Sequence, residues 1–230
     1  MPDKSSGEEI ILDSRLRRAS YHDYAYVTIS TRAGKKQELR RLSLEKMSIC
    51  DKIKIRRRKK GKMTINTKKY ENLILYICQG LGGVVDGKKK LAKLLYYADF
   101  DRYEFNESMK SVSGDIYKAW KMGPVPERYM EVVGRLIEKG KIEKISRDLG
   151  LSHQQELFIA KHGADLSQFD EDDRKIVDRV IKKYGGLTGG QLEALTHQEA
   201  PWVATEQSEE IDYGLAFYRG TDFSDVMAVA

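Results

Sequence analysis

Residues 90–136 read KLAKLLYYADFDRYEFNESMKSVSGDIYKAWKMGPVPERYMEVVGRL, and this stretch decides the kind of fold the chain makes. Leu91, Leu94, Leu95, Ala98 and Arg102 recur at the three-and-four spacing of one helix face, while Tyr96, Tyr97, Phe100 and Tyr103 load aromatic surface around that stripe. A helix with so much apolar surface beside its main face is expected to be buried on more than one side. Val112, Gly114, Ile116, Lys118 and Trp120 then alternate as in a strand. Gly123-Pro124-Val125-Pro126 is expected to end that strand in a turn, because proline has no N–H and restricts the residue before it. Pro126 is expected in the first turn of a following helix, with Glu127 near its positive end and Tyr129, Val132, Val133, Leu136 and Ile137 on its inner face.

On the N-terminal side, residues 68–80 read as a helix with Thr67 as its N-cap, stopped by Gly80, Gly82 and Gly83, and Asp86 is placed to cap the next helix. On the C-terminal side, residues 141–147 and 156–161 alternate as two strands of a hairpin. Residues 170–184 are the clearest late helix, with acidic residues in the first turn, Lys182 and Lys183 in the last and Gly185-Gly186 after it. Residues 188–196 give one more short helix with Leu192 and Leu195 on a face. Near the start, residues 1–7 are polar and without period, residues 21–31 read as a strand, Ala33-Gly34-Lys35 as a turn and residues 37–47 as a helix. The expected fold is α+β: a mainly helical core with a small antiparallel sheet over residues 63–230, preceded by a small basic α+β appendage and linker over residues 1–62. No repeat at a fixed period points to a solenoid.

The chain has 230 residues, 40% apolar and 9% aromatic, enough for a packed interior without covalent staples. Cys50 and Cys78 form no CxxC pair, and the start carries no secretory pattern, so a reducing, cytoplasmic setting and unreactive thiols are expected. Apolar runs such as residues 73–78 fall well short of the roughly 20 residues a membrane helix needs. The net charge of +6 is unevenly placed: residues 1–62 hold 18 Lys+Arg against 8 Asp+Glu, or +10, leaving −4 for the rest. The densest run, KIKIRRRKKGK at residues 52–62, includes Arg56, Arg57, Arg58, Lys59 and Lys60. It reads either as a phosphate or acidic-partner contact or as a solvated linker between two modules.

Neither a catalytic set nor a metal-ligating set is found in the sequence, and no cofactor is implied. His22, His153, His162 and His197 make no metal motif, no GxSxG occurs, and Gly80, Gly82 and Gly83 lack the lysine and the strand-to-helix context of a phosphate loop. His197, Glu199 and Trp202 are the one polar group resembling an acid–base site, but a histidine at a helix end commonly caps carbonyls or fixes a turn. Asp99 and Asp115 stand beside backbone turns, where carboxylates accept structural hydrogen bonds. Alternatively, Tyr97, Asp99, Tyr117 and Trp120 line a concave recognition surface, since tyrosine and tryptophan bring apolar area with a polar handle. Trp120 and Trp202 also have a plain reading as core, though Trp120, between Lys118 and Lys121 at a strand end, is placed to be half exposed.

Lys90-Leu91-Ala92-Lys93-Leu94-Leu95-Tyr96-Tyr97-Ala98-Asp99, Gly114-Asp115-Ile116-Tyr117, Gly123-Pro124-Val125-Pro126, Leu195-Thr196-His197 and Pro201-Trp202 follow in an order and spacing that resembles the SocA-like Panacea domain. That is an antitoxin domain of bacterial toxin–antitoxin pairs, also found in phage-associated proteins. The resemblance spans about residues 68–205. It implies an antitoxin, not an enzyme, that binds and neutralises a cognate protein toxin. The expected toxin-binding residues are then Tyr97, Asp99, Tyr117, Trp120 and Pro124. Two other readings stand beside it: a nucleic-acid-binding regulator that uses the basic run for nonspecific phosphate contact, and an adaptor that delivers a partner to a protease.

Overall fold

In a computed structural model of the protein, residues 9–10, 24–30, 38–43, 65–148 and 154–227 are described. The chain divides into two units, Met1–Lys62 and Met63–Ala230. In the first unit, β1 (Glu9–Ile10), β2 (Tyr24–Ser30) and β3 (Glu38–Ser43) form an antiparallel sheet in that order, with Glu9 opposite Ser30 and Tyr24 opposite Ser43. The strand expected in residues 21–31 is β2. The helix expected over residues 37–47 is corrected: Glu38–Ser43 is a strand, because pairing along β2 satisfies that strand's backbone groups and overrides the helix propensity of ELRRLS. Arg56, Arg57, Arg58, Lys59 and Lys60 lie outside the described residues.

The second unit begins with α1 (Thr67–Gly80). Its N-cap is Asn66, one residue before the expected Thr67, with the side chain accepting from Lys69 N–H at 3.1 Å. There follow β4 (Val84–Asp86), α2 (Gly87–Glu104), β5 (Tyr117–Trp120), β6 (Gly123–Pro126), α3 (Tyr129–Glu138), β7 (Ile142–Asp148), β8 (Gln154–Ala160), α4 (Glu171–Tyr184), α5 (Gly189–Thr196), α6 (Ala200–Val203) and α7 (Ser224–Met227), with 3-10 turns at Phe105–Glu107, Leu166–Gln168 and Tyr213–Tyr218. Asp86 holds the N-cap position of α2, but its side chain makes no capping bond. The expected hairpin is β7 and β8, registered from Ile142 opposite Ala160 to Asp148 opposite Gln154, and β4 adds a third strand on β8. The late helices start on local chemistry. Asp170 and Asp173 make a capping box at α4, and Thr188 and Gln191 make another at α5.

The stretch after α2 departs from its expected form. Residues 112–116 are not strand, because their N–H groups go to turn-making oxygens: Gly114 donates to Ser111 Oγ and Asp115 to Ser113 Oγ, each at 3.0 Å. Residues 123–126 are not a turn but the strand β6, joined to β5 through Lys121-Met122, with Trp120 opposite Gly123 and Tyr117 opposite Pro126. Prolines are tolerated because β6 pairs with β5 on one side only, so each missing N–H falls where no ladder bond is needed. The helix starts at Tyr129 rather than Pro126.

At the centre lies α2, whose residues 91–102 are all buried. It packs against α4, α5, β6, β8 and the Tyr213–Tyr218 turn. Phe100 stacks on Tyr213 at 4.5 Å and meets Tyr117 edge-on at 5.4 Å, while Tyr97 stacks on Tyr184 at 3.9 Å. Leu73, Ile74 and Ile77 of α1 and Ile176, Val177 and Val180 of α4 complete the core. Leu94→Ala should cost about 2–5 kcal/mol by cavity formation, whereas Ile145→Ala, at a half-exposed position of β7, should stay within about 0.5 kcal/mol. Urea midpoints of the two variants check this; equal losses would show that α2 is not the packing centre.

Candidate recognition surface on the β5–β6 hairpin

The motif pieces, far apart in the chain, meet at the β5–β6 hairpin. Asp99 of α2 anchors its base, accepting from Ser113 N–H at 2.7 Å, from Ser113 Oγ, and from Tyr117 Oη at 2.7 Å. Burial raises the Asp99 carboxyl to about 6 in spite of these three donors. Asp115 holds the other side, accepting from Tyr70 Oη of α1 at 2.9 Å and from Arg128 N–H at 3.0 Å. Burial lifts its carboxyl as well. The expectation that Asp99 and Asp115 fix the helix-to-strand connection describes what these atoms do.

Lys93, six residues before Asp99 along α2, is 1% exposed and donates to Pro124 O at 2.7 Å. The ammonium thus satisfies a carbonyl on the side of β6 that has no neighbouring strand. Gly123 beside it has φ +85°, and a Cβ there would come within 2.8 Å of both Lys93 Nζ and Thr196 Oγ1, so only glycine fits. His197 stacks on Trp202 at 4.1 Å, and Trp202 Nε1 donates to Trp120 O at 3.1 Å. The His197 Nε2 atom is buried without a hydrogen-bond partner. The His197 and Trp202 pair therefore buttresses the hairpin tip. Glu199 turns the other way, accepting from Tyr96 Oη at 2.7 Å and pairing with Arg219 at 3.3 Å, so the three residues form no common site.

The expected recognition residues separate by burial. Tyr97 is 1% exposed, Asp99 and Tyr117 are 0%, and Pro124 is buried under the hairpin. They offer no area to a partner of the folded domain, because their side chains are taken up by Tyr184, Ser113 and the α2 core. Trp120 is 44% exposed. Sequence reasoning missed Met122 at the turn and Val203 at the end of α6, which are 55% and 59% exposed. Met122 stands two residues after Trp120 in the hairpin turn, and Val203 follows Trp202, whose indole bonds the Trp120 carbonyl. Among the described residues no group of three or more His, Cys, Asp or Glu could hold a metal ion, and no helix is long and apolar enough to cross a membrane.

Lys93 gives the site a pH signature. Burial lowers its ammonium from 10.5 to about 7, against the pull of Glu193. Between these values the unfolded chain binds a proton that the folded chain has released, so the stability contributed here rises with pH. The stability gap between wild type and Lys93→Met should widen in favour of wild type from about pH 7 to about pH 9, by on the order of 2 kcal/mol. Urea unfolding across that range measures it; an unchanged gap would mean that the Pro124 carbonyl keeps the ammonium charged.

Comparison with known proteins fits this geometry. Residues 91–203 match the family model described as antitoxin SocA-like, Panacea domain, which takes in α2 from Leu91 onward, the hairpin and α3 through α6 but not α1. No curated protein and no solved structure matches the chain. The segment that builds most of the central helix, the hairpin and its buttress is therefore the part of this chain that is similar to the antitoxin SocA-like Panacea domain family.

Proposed function

We propose that this protein is an antitoxin that neutralises a cognate protein toxin by binding it directly through the β5–β6 hairpin, with no chemistry performed by this chain. The observation that carries the reading is the presentation of Trp120. Its indole is half exposed, yet its backbone carbonyl is tied to Trp202 and its hairpin is tied through Asp99, Lys93 and Asp115 to the core. A large aromatic held on a rigid frame binds at low entropic cost, which is what a hot-spot residue requires. The family match supports the same reading. The buried Tyr97, Asp99, Tyr117 and Pro124 act as the frame. Residues 1–62 are then a separate basic appendage to the binding domain.

Expression of the protein encoded by the adjacent reading frame should arrest growth, and co-expression of this chain should restore it, with the two proteins co-purifying at a fixed ratio. Trp120→Ala should weaken the complex by about 2 kcal/mol or more while changing the urea midpoint little, since the Trp202 bond is to a backbone oxygen. Calorimetric titration and unfolding curves on the same samples check both. Rescue with loss of the toxin and no isolable complex would favour the adaptor reading instead.

A further inference from the structure

We infer that the hairpin face is built for a basic protein surface, an apolar centre at Trp120 with an acidic rim that selects Lys- and Arg-rich partners. The inference rests on the binding role proposed above and names the chemistry of the partner. Trp120, Met122 and Val203 are each more than two-fifths exposed, and an apolar group of this kind rimmed by charge is the usual form of a protein-docking site.

The rim is made by a segment distant in sequence. Residues 208–211 run antiparallel along the edge of β5 that β6 leaves open. Ser208 N–H donates to Ala119 O at 2.7 Å, Ala119 N–H to Glu209 O at 3.0 Å and Ile211 N–H to Tyr117 O at 2.8 Å. Glu210 bridges to Lys118 in the same register. This backbone pairing brings Glu206, Glu209 and Glu210, all exposed, to the hairpin, where Glu127 stands exposed just beyond the end of β6. Lys118 is occupied, with its ammonium 2.8 Å from Glu127 and its proton held more tightly by Glu127, Glu209 and Glu210. Counting Glu127, Glu206, Glu209 and Glu210 against Lys118 and Lys121 leaves −2 around Trp120. That sign repels phosphate backbones and favours cationic side chains, so a nucleic acid is the wrong occupant for this face.

The test uses the full chain, the Glu206→Gln/Glu209→Gln/Glu210→Gln triple variant and Trp120→Ala, titrated with the protein encoded by the adjacent reading frame. At about 50 mM salt the triple variant should bind about tenfold more weakly, mainly through a slower association rate, and at about 500 mM salt it should match wild type, because rim charges act through a screened field. Trp120→Ala should be weak at both. Equal binding by the triple variant and wild type at low salt overturns the acidic rim while leaving direct neutralisation standing. Tighter binding by the triple variant overturns it more strongly, since it would place acidic groups on the partner. No binding by wild type at either salt removes the proposed function and this inference with it. Unfolding curves of the triple variant should lie close to wild type, since all three carboxylates are exposed, where charge interactions such as those with Lys118 contribute little to stability, and the pairing to β5 is made by backbone atoms.

Discussion

The architecture depends on one constraint: a helix buried on every side that carries ionisable side chains. In α2, Lys93, Asp99, Asp101 and Arg102 are each at most 3% exposed, and an ionised group in such a place is costly unless it is met by a partner. Each is met by a different part of the chain. Lys93 takes the Pro124 carbonyl, Asp99 takes the 113–117 segment, Asp101 accepts from Arg179 and Arg219 at 2.6 Å each, and Arg102 donates to Asp173 at 2.9 Å. Removing one partner would leave a buried charge or polar group unsatisfied, so these pairs fix where the surrounding elements sit around the helix. The apolar contacts provide the driving force for burial, and the charges give it an address.

The same arrangement explains how a small hairpin is held rigid at the surface. Two short strands alone are marginal in water. Here the base is tied by Asp99 and Asp115, the β6 carbonyl by Lys93, the tip by Trp202, and the open edge of β5 by residues 208–211. Most of the sequence motif is thus framework. The aromatic residues Tyr96, Tyr97, Phe100 and Tyr117 form one internal stack around Tyr213 and Tyr184, and the side chains that reach solvent are Trp120 and the less distinctive Met122, Val203 and glutamates. A partner surface can therefore vary while the frame is kept, a division between positioning and recognition that suits a binding module.

What the sequence determined by itself was whatever is settled within a few residues. The α4 and α5 capping boxes, the alternation of β7 and β8, the helix stop after Gly80 and the multi-sided burial of α2 are written in side chains that act on their own backbone or repeat at the period of one element. Tertiary structure decided the rest. A proline pair reads as a turn until a single-sided strand makes its missing N–H harmless, ELRRLS reads as helix until β2 offers a ladder, and Lys93 looks like any solvated lysine until the Pro124 carbonyl, 31 positions away, accepts its hydrogen bond. Tyr97 and Tyr117 carry the composition of an interface and are core, while the Asp101 and Arg219 pair spans 118 positions. Burial and pairing at such separations depend on which surfaces meet after collapse, and no local period or spacing encodes that.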